Sequence, residues 1–334
     1  MIRIAKSSGL FLTLVALSAC APLRTSDGPV FEPTPATRVT QQEVEARYRT
    51  RESRFIDVEG VRVHYRDEGR GPVIVLLHGS FGSLRNFDGM TMRLRKRFRV
   101  IRYDQPPAGL SGEVPENFSG TMEGFLAKFL DRIEVRESVV LLGTSSGGII
   151  AYRFAATYPA RVKALVLSNV PPSAPVDNAG AARRAPADIQ RKLAACTKAG
   201  EPRDRDCWRV FLDFNFVRKQ EITPALVREY TDFNRKVGAQ RMSIMTPLMR
   251  DDVAVREFLG KITAPTLLLW GREDYVLPPE TMTTMASRLT AARVERNLMP
   301  VVSHYPPLEA PSEVTEATLR FLRSLGDAPV ATAP

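Results

Sequence analysis

The sequence predicts an α/β fold built on a mostly parallel, doubly wound sheet, with a helical cap inserted between two of its strands. Short, continuous apolar runs recur from residue 54 onward, as is typical of parallel strands buried on both faces. Amphipathic stretches such as residues 121–133 and 149–158 lie between the runs, so strands and helices alternate. From about residue 173 to residue 261, charged helical patterns replace the buried strands, and this interval predicts the cap.

Each predicted strand has its own local signal. The segment RFIDVEGVRVHYRD, residues 54–67, predicts a hairpin with Glu59 and Gly60 at its turn. The next run, residues 73–77, is too short for a helix and is bounded by Gly-Pro and His-Gly. The other predicted strands are apolar runs of the same kind at residues 99–103, 139–142, 164–167 and 266–270.

The first residues, MIRIAKSSGLFLTLVALSACAP, have the pattern of an export signal. Arg3 and Lys6 form a positive start, residues 9–19 are apolar but too short to span a bilayer, and small residues lead into Cys20. This arrangement resembles a bacterial lipobox, in which the signal is removed before a cysteine that then carries lipid. The alternative is an ordinary secretory signal with a chance cysteine.

We therefore expect a signal peptide at residues 1–19 and lipid on Cys20, which would anchor the protein to the bacterial cell envelope without spanning a membrane. Ala21 after the lipidated cysteine favours the periplasmic face of an outer membrane. Residues 20–50 begin with a stretch rich in Pro, Thr and Ser and are expected to form a flexible tether.

The part that follows is long enough for one large domain or for a core with an insertion. We expect a core at residues 51–172 and 262–328 and the cap at residues 173–261. The formal net charge is +10, with basic residues spread along the chain and no zinc spacing or nucleic-acid motif. No nucleic-acid partner is expected. Anionic lipid head groups would attract such a chain, but frequent arginine usage explains the charge equally well, and nothing predicts an oligomeric state.

The other two cysteines, Cys196 and Cys207, flank the polar segment TKAGEPRDRD. Because disulfides persist in export compartments, we favour a bridge between them over two buried thiols. Closing this loop would contribute about 3 kcal/mol of stability by the chain-entropy relation, with no role in catalysis.

A serine lies where a buried strand meets a helix, in Gly143-Thr144-Ser145-Ser146-Gly147. A tight turn of this kind needs neighbours without bulky side chains, and it lifts the Ser145 hydroxyl out of the sheet towards the N–H groups of the helix start. The segment resembles the G-x-S-x-G nucleophile elbow of the α/β-hydrolase superfamily. Alone, it could also be a structural turn.

Further segments resemble this family in its order. His78-Gly79-Ser80-Phe81 is similar to its oxyanion loop, and residues 99–111 to its D-x-P-x-x-G-x-S loop. The segment TLLLWGREDYVLP resembles the strand that ends in the catalytic acid, and VVSHYPPLEAP the loop that carries the catalytic histidine. Two departures, Thr144 in place of a frequent histidine and Pro107 in place of a frequent glycine, remove no group that the chemistry needs.

The resemblance implies a serine hydrolase in which Ser145 is the nucleophile, His304 the general base and Asp274 the residue that orients the histidine. The oxyanion would be bound by the N–H groups of Ser146 and Ser80, with Phe81 as the alternative donor. This chemistry requires neither a metal nor a cofactor. A serine at the elbow also disfavours haloalkane dehalogenases and epoxide hydrolases, which use an aspartate there.

Other candidate residues have simpler interpretations. His64 is interpreted as a strand residue without a partner in the motif, and His78 as a brace for its own loop. A G-x-S-x-G motif centred on Ser146 would need glycine at position 144, where the chain has threonine. Asn169 occupies an alternative position for the acid but has no carboxylate, and Asp104 is expected to order its own loop.

The function implied by the resemblance is cleavage of a carboxylic ester of small to medium size. The same triad also serves hydrolysis of C–C bonds, lactones or amides, and cofactor-free perhydrolysis. A different class of function is a non-catalytic envelope protein that binds a ligand. The last alternative predicts decay of the triad, whereas Ser145, Asp274 and His304 are all present.

Overall fold

The computed structural model describes residues 31–34, 36–115, 117–172, 178–239 and 252–326. The predicted signal peptide at residues 1–19, Cys20 and the tether residues up to 30 lie outside the described residues. Among the helices of the described ranges, none combines the length and apolar character needed to cross a membrane.

The core is an eight-stranded sheet with the order β1-β2-β4-β3-β5-β6-β7-β8. The first two strands form the predicted hairpin, and β2 also runs antiparallel to β4. The other neighbouring pairs are parallel, which confirms the mostly parallel sheet. The strands are β1 Arg54–Val58, β2 Val61–Glu68, β3 Val73–Leu77, β4 Arg99–Tyr103, β5 Val139–Thr144, β6 Val162–Ser168, β7 Thr266–Gly271 and β8 Val294–Met299.

Helices cover both faces of the sheet, so the doubly wound arrangement is confirmed. One face packs on apolar residues of α3, α4, α9 and α10, and the other on those of α2 and α12. The helices of the described residues are α1 Gln41–Tyr48, α2 Asp88–Leu94, α3 Met122–Arg132, α4 Ser146–Thr157, α5 Asn178–Arg184, α6 Ala187–Ala199, α7 Arg205–Asn215, α8 Pro224–Asn234, α9 Asp252–Gly260, α10 Glu280–Arg288, α11 Pro306–Glu309 and α12 Pro311–Ser324.

The strand β8 was absent from the sequence prediction. Its segment, VERNLM, mixes charged and apolar residues and is mostly half-buried. This composition fits an edge strand, because β8 is last in the strand order and, within the described ranges, pairs with β7 alone. Continuous apolar runs therefore identify the inner strands and miss this one.

The interval between β6 and β7 contains α5 to α9. A disulfide joins Cys196 on α6 to Cys207 on α7, and Asp204 caps α7 by accepting a hydrogen bond from the Cys207 N–H at 2.8 Å. The last helix of the interval, α9, packs on the core, where Val255 and Leu259 lie in the cluster that includes α4. The helix α9, which lies within the predicted cap interval at residues 173–261, thus packs with the core.

Residues 41–48 of the predicted tether form the helix α1. Thr40 caps it in a reciprocal arrangement with Glu43, and Val44 is its buried apolar residue. Because the helix buries so little apolar surface, its sequence shows no helical period. Contacts to the cap hold this segment in place: the Val39 N–H donates to the Arg235 carbonyl, and the Tyr48 hydroxyl donates to Asp232 at 2.8 Å.

Candidate active site

Ser145 lies between the end of β5 and the start of α4. Its backbone has φ 51° and ψ −123°, which is a strained conformation for a residue with a side chain, and its N–H donates to the Ser168 carbonyl at 3.0 Å. A Cβ atom added at Gly143 would lie 2.5 Å from the Gly148 Cα, and one added at Gly147 would lie 2.3 Å from the Leu77 carbonyl oxygen. The glycines of the motif are therefore required by close backbone packing.

The structure brings Ser145, His304 and Asp274 together in a hydrogen-bonded chain. His304 Nε2 lies 3.1 Å from Ser145 Oγ, and His304 Nδ1 lies 2.8 Å from Asp274 Oδ2. His304 and Asp274 are each only 3% exposed, whereas Ser145 is half-buried. The loops that follow β7 and β8 supply the acid and the histidine, and these strands are sheet neighbours.

Asp274 is fixed by further donors. Its Oδ1 accepts the N–H groups of Val276 and Leu277 at 2.7 and 2.9 Å, and its Oδ2 accepts the Asn169 amide at 2.5 Å. Asn169 also accepts the Gly271 N–H at 3.2 Å, so its side chain bridges the ends of β6 and β7. The sequence marks Asn169 only as an alternative position for the acid, and its contact with Asp274 was not predicted.

The proposed oxyanion donors lie beside the elbow. Ser146 is the first residue of α4, so its N–H has no partner within the helix and lies at the positive end of the helix dipole. A Cβ added at Gly79 would lie 3.1 Å from the Ser145 Cβ, and the Ser80 hydroxyl donates to the Ser146 hydroxyl at 3.1 Å. In the described part of the chain, the N–H groups of Ser80 and Phe81 have no backbone acceptor.

His78 braces the loop that follows it. Its Nδ1 lies 2.8 Å from the Gly79 carbonyl oxygen, and its Nε2 accepts the Gln105 N–H at 2.9 Å. These two contacts fix the neutral tautomer with the proton on Nδ1. Burial lowers the pKa of His78, which favours the same neutral form.

His64 has a partner that the sequence analysis did not predict. Its Nδ1 lies 2.7 Å from Asp104 Oδ2, and its Nε2 lies 2.9 Å from the Ser53 hydroxyl. Asp104 also accepts the N–H groups of Leu84 and Leu110, each at 2.7 Å. Burial alone would raise the pKa of Asp104, but His64 and the N–H donors outweigh it and lower the pKa to about 2.

An aromatic cluster joins the cap to the oxyanion loop and to the histidine loop. The Phe81 ring lies 5.5 Å from that of Trp208 and 5.4 Å from that of Phe211, both on α7. Tyr305, next to His304, lies 6.4 Å from Phe211 between ring centroids. These contacts bring apolar rings of α7 against both loops. In the described ranges, no group of His, Cys, Asp and Glu side chains is placed to hold a metal ion.

Known proteins resemble this chain over most of its length. A family model described as the alpha/beta hydrolase fold matches residues 72–311. The chain is 28% identical over 289 residues to a proline iminopeptidase of Heyndrickxia coagulans, covering 81% of this chain and 98% of that protein. It is 28% identical over 290 residues to haloalkane dehalogenase 2 of Mycobacterium tuberculosis, covering 80% and 94%. A crystal structure of a membrane phospholipase A, described as a bacterial virulence factor, matches with a TM-score of 0.69 and 25% identity over 86% of this chain and 93% of that one.

Proposed function

The chain belongs to the α/β-hydrolase fold family, and on that premise we propose that it is a serine hydrolase that cleaves carboxylic esters of small to medium size. The observation that carries the proposal is the hydrogen-bonded chain from Ser145 Oγ through His304 to Asp274. A hydroxyl is a weak nucleophile unless an adjacent base removes its proton, and His304 Nε2 lies within reach to do so.

The geometry supports a two-step reaction. His304 takes the Ser145 proton as the hydroxyl oxygen attacks the carbonyl carbon, and then gives that proton to the leaving alcohol, which leaves an acyl group on Ser145. A water molecule, deprotonated by His304, then releases the carboxylic acid and restores the serine. Asp274 accepts a hydrogen bond from Nδ1–H, which holds the required tautomer and stabilises the imidazolium.

Hydrolysis of amides by the same triad is a second candidate, favoured by the similarity to a proline iminopeptidase. The similarity to haloalkane dehalogenase 2 carries less weight for the reaction, because Ser145 stands where dehalogenases of this fold place an aspartate. The membrane phospholipase A structure supports ester cleavage as the first candidate.

We expect the full chain, solubilised in detergent, to be labelled by a fluorophosphonate at Ser145 and to release p-nitrophenol from short esters with an initial burst. The burst would reflect fast acylation followed by slower hydrolysis of the acyl-enzyme. The Ser145→Ala variant is the matched control, and it should show neither labelling nor burst. The absence of both labelling and turnover in the parent protein would contradict the serine hydrolase proposal. Labelling without ester turnover would support Ser145 as the nucleophile but reject a carboxylic ester as the substrate.

We further propose that Cys20 carries lipid and anchors the protein to the cell envelope, on the strength of the signal pattern that precedes it. Metabolic labelling with palmitate in a bacterial host should modify the parent and leave Cys20→Ala unlabelled. Equal labelling of both proteins, or of neither, would contradict the anchor. Immunoblots of membrane and soluble fractions provide the control for expression.

A further inference from the structure

The oxyanion loop contains a strained aromatic residue. Phe81 has φ 63°, in the left-handed region that residues with large side chains rarely adopt. Such a conformation costs free energy and persists only where the surrounding structure over-determines it. The contacts around Phe81 therefore indicate what holds the loop in its observed shape.

Two side chains hold the backbone on either side of Phe81. The Tyr305 hydroxyl donates to the Ser80 carbonyl at 3.2 Å, and the Asn234 amide donates to the Phe81 carbonyl at 2.9 Å. The Ser80 carbonyl and the Phe81 N–H belong to the same rigid peptide plane. By fixing that carbonyl, Tyr305 therefore also fixes the direction of the Phe81 N–H.

The two clamping residues come from different parts of the fold. Tyr305 follows His304 directly and is only 3% exposed. Asn234 is the last residue of the cap helix α8, and its amide also donates to the Tyr230 carbonyl within that helix at 2.8 Å. The Phe81 ring packs on the cap as well, against Trp208. The conformation of the loop thus depends on a cap that is in place above it.

We propose that Tyr305 and Asn234 are positioning residues that hold the Ser80–Phe81 peptide in its left-handed conformation, so that the loop N–H groups face the oxyanion only while the cap is in place. This inference rests on the proposed serine hydrolase function. Neither side chain is required to touch the substrate. Their effect falls on the transition state, because donors that are aligned in advance stabilise charge that develops during the reaction.

The expected result of Tyr305→Phe or Asn234→Ala in the full chain is a loss of about 10- to 100-fold in kcat for a short p-nitrophenyl ester, with KM changed by less than about threefold. The pH dependence of kcat/KM should keep the midpoint of the parent, because the His304 contacts to Ser145 and Asp274 are untouched. Tyr103→Phe is the matched control: Tyr103 is fully buried, and its hydroxyl has no hydrogen-bond partner among the described residues. It should retain the parent kcat.

Hydrogen exchange gives a second readout that is independent of activity. The Gly82 N–H donates to the Gly79 carbonyl at 3.2 Å and closes the turn around Ser80 and Phe81. In Tyr305→Phe and in Asn234→Ala, the amide hydrogen exchange of a peptide that covers residues 79–84 should become several-fold faster. The loop opens more often once one of the hydrogen bonds that restrain it is removed. The same peptide should be unchanged in Tyr103→Phe.

Three results would overturn the proposal that Tyr305 and Asn234 position the loop. The first is a kcat within about threefold of the parent in both variants, and the second is unchanged exchange of the loop peptide. The third is an equal loss in Tyr103→Phe, which would show a general packing effect. If the parent fails to react with a fluorophosphonate, the hydrolase proposal fails by itself, and the exchange measurement still decides whether Tyr305 and Asn234 hold the loop.

Discussion

Replacing Ser145 by alanine is expected to lower kcat for a p-nitrophenyl ester by about 10⁵- to 10⁶-fold, and replacing His304 in the same protein is expected to add little. The two groups act as one unit in the first chemical step, because the hydroxyl attacks only as its proton passes to Nε2 across the 3.1 Å contact. Without the Ser145 hydroxyl, the His304 imidazole has no nucleophile to deprotonate, and without His304 the hydroxyl has no base to remove its proton. The single and double variants should therefore have similar residual rates.

The residual rate should stay above that of the uncatalysed reaction. The N–H groups of Ser146 and of the Ser80 loop remain in all three variants, and a preorganised oxyanion site with substrate binding typically retains about 10³-fold catalysis. Single-turnover rates of Ser145→Ala, His304→Ala and the double variant, at equal protein concentration, would measure this. Losses that multiply in the double variant would mean that the two residues act in separate steps.

Ser146→Ala is the matched control for the nucleophile. This change removes a neighbouring hydroxyl, while the backbone N–H of residue 146 stays at the start of α4. We expect its kcat to remain within about tenfold of the parent, since the N–H and not the hydroxyl is the proposed oxyanion donor. A loss in Ser146→Ala as large as that in Ser145→Ala would make the assignment of the nucleophile wrong.

Local signals were sufficient for the inner part of the fold. The predicted strands at residues 73–77 and 99–103 have the observed bounds of β3 and β4, and both strands lie inside the sheet, where each has a neighbouring strand on both sides. The elbow could also be predicted locally, since the glycines around Ser145 are required by contacts within a few residues and to the adjacent strand. Periodicity and turn chemistry thus describe what the chain does over short distances.

The features that the sequence did not predict depend on neighbours that are distant in the chain. Asn169 supports Asp274 only because β6 and β7 are adjacent in the sheet. The edge strand β8 has too few apolar residues to show a pattern. His64 meets Asp104 across 40 positions, at the point where the hairpin pairs with β4. For Asn169 and His64, a polar side chain receives its role from tertiary packing, which no local pattern contains.

The largest effect on stability is expected from Asp104→Asn, which should lower the free energy of unfolding by about 3 kcal/mol at pH 7. The carboxylate accepts hydrogen bonds at both oxygens, from His64 and Leu110 on one side and from Leu84 on the other. An amide has nearly the same shape, but its NH₂ group is a donor in place of one carboxylate oxygen. A buried N–H of this amide would then face a buried N–H donor of the protein, and neither would have an acceptor. Asp131→Asn is the matched control, since Asp131 forms an exposed ion pair with Arg161 and should cost about 0.5 kcal/mol or less.

The cost of Asp104→Asn should also depend on pH in a defined direction. Because the pKa of Asp104 is lowered to about 2 in the folded protein, its contribution is fully present above the ordinary aspartate pKa of about 4 and is lost as the pH falls towards 2. The difference between parent and variant is measured in urea unfolding series at pH 5 and at pH 3. It should be smaller at pH 3, because the Asp104 carboxyl of the unfolded parent is mostly protonated there while that of the folded parent is still mostly ionised. A difference as large at pH 3 as at pH 5 would show that the carboxylate charge contributes nothing and that only the shape of the side chain matters.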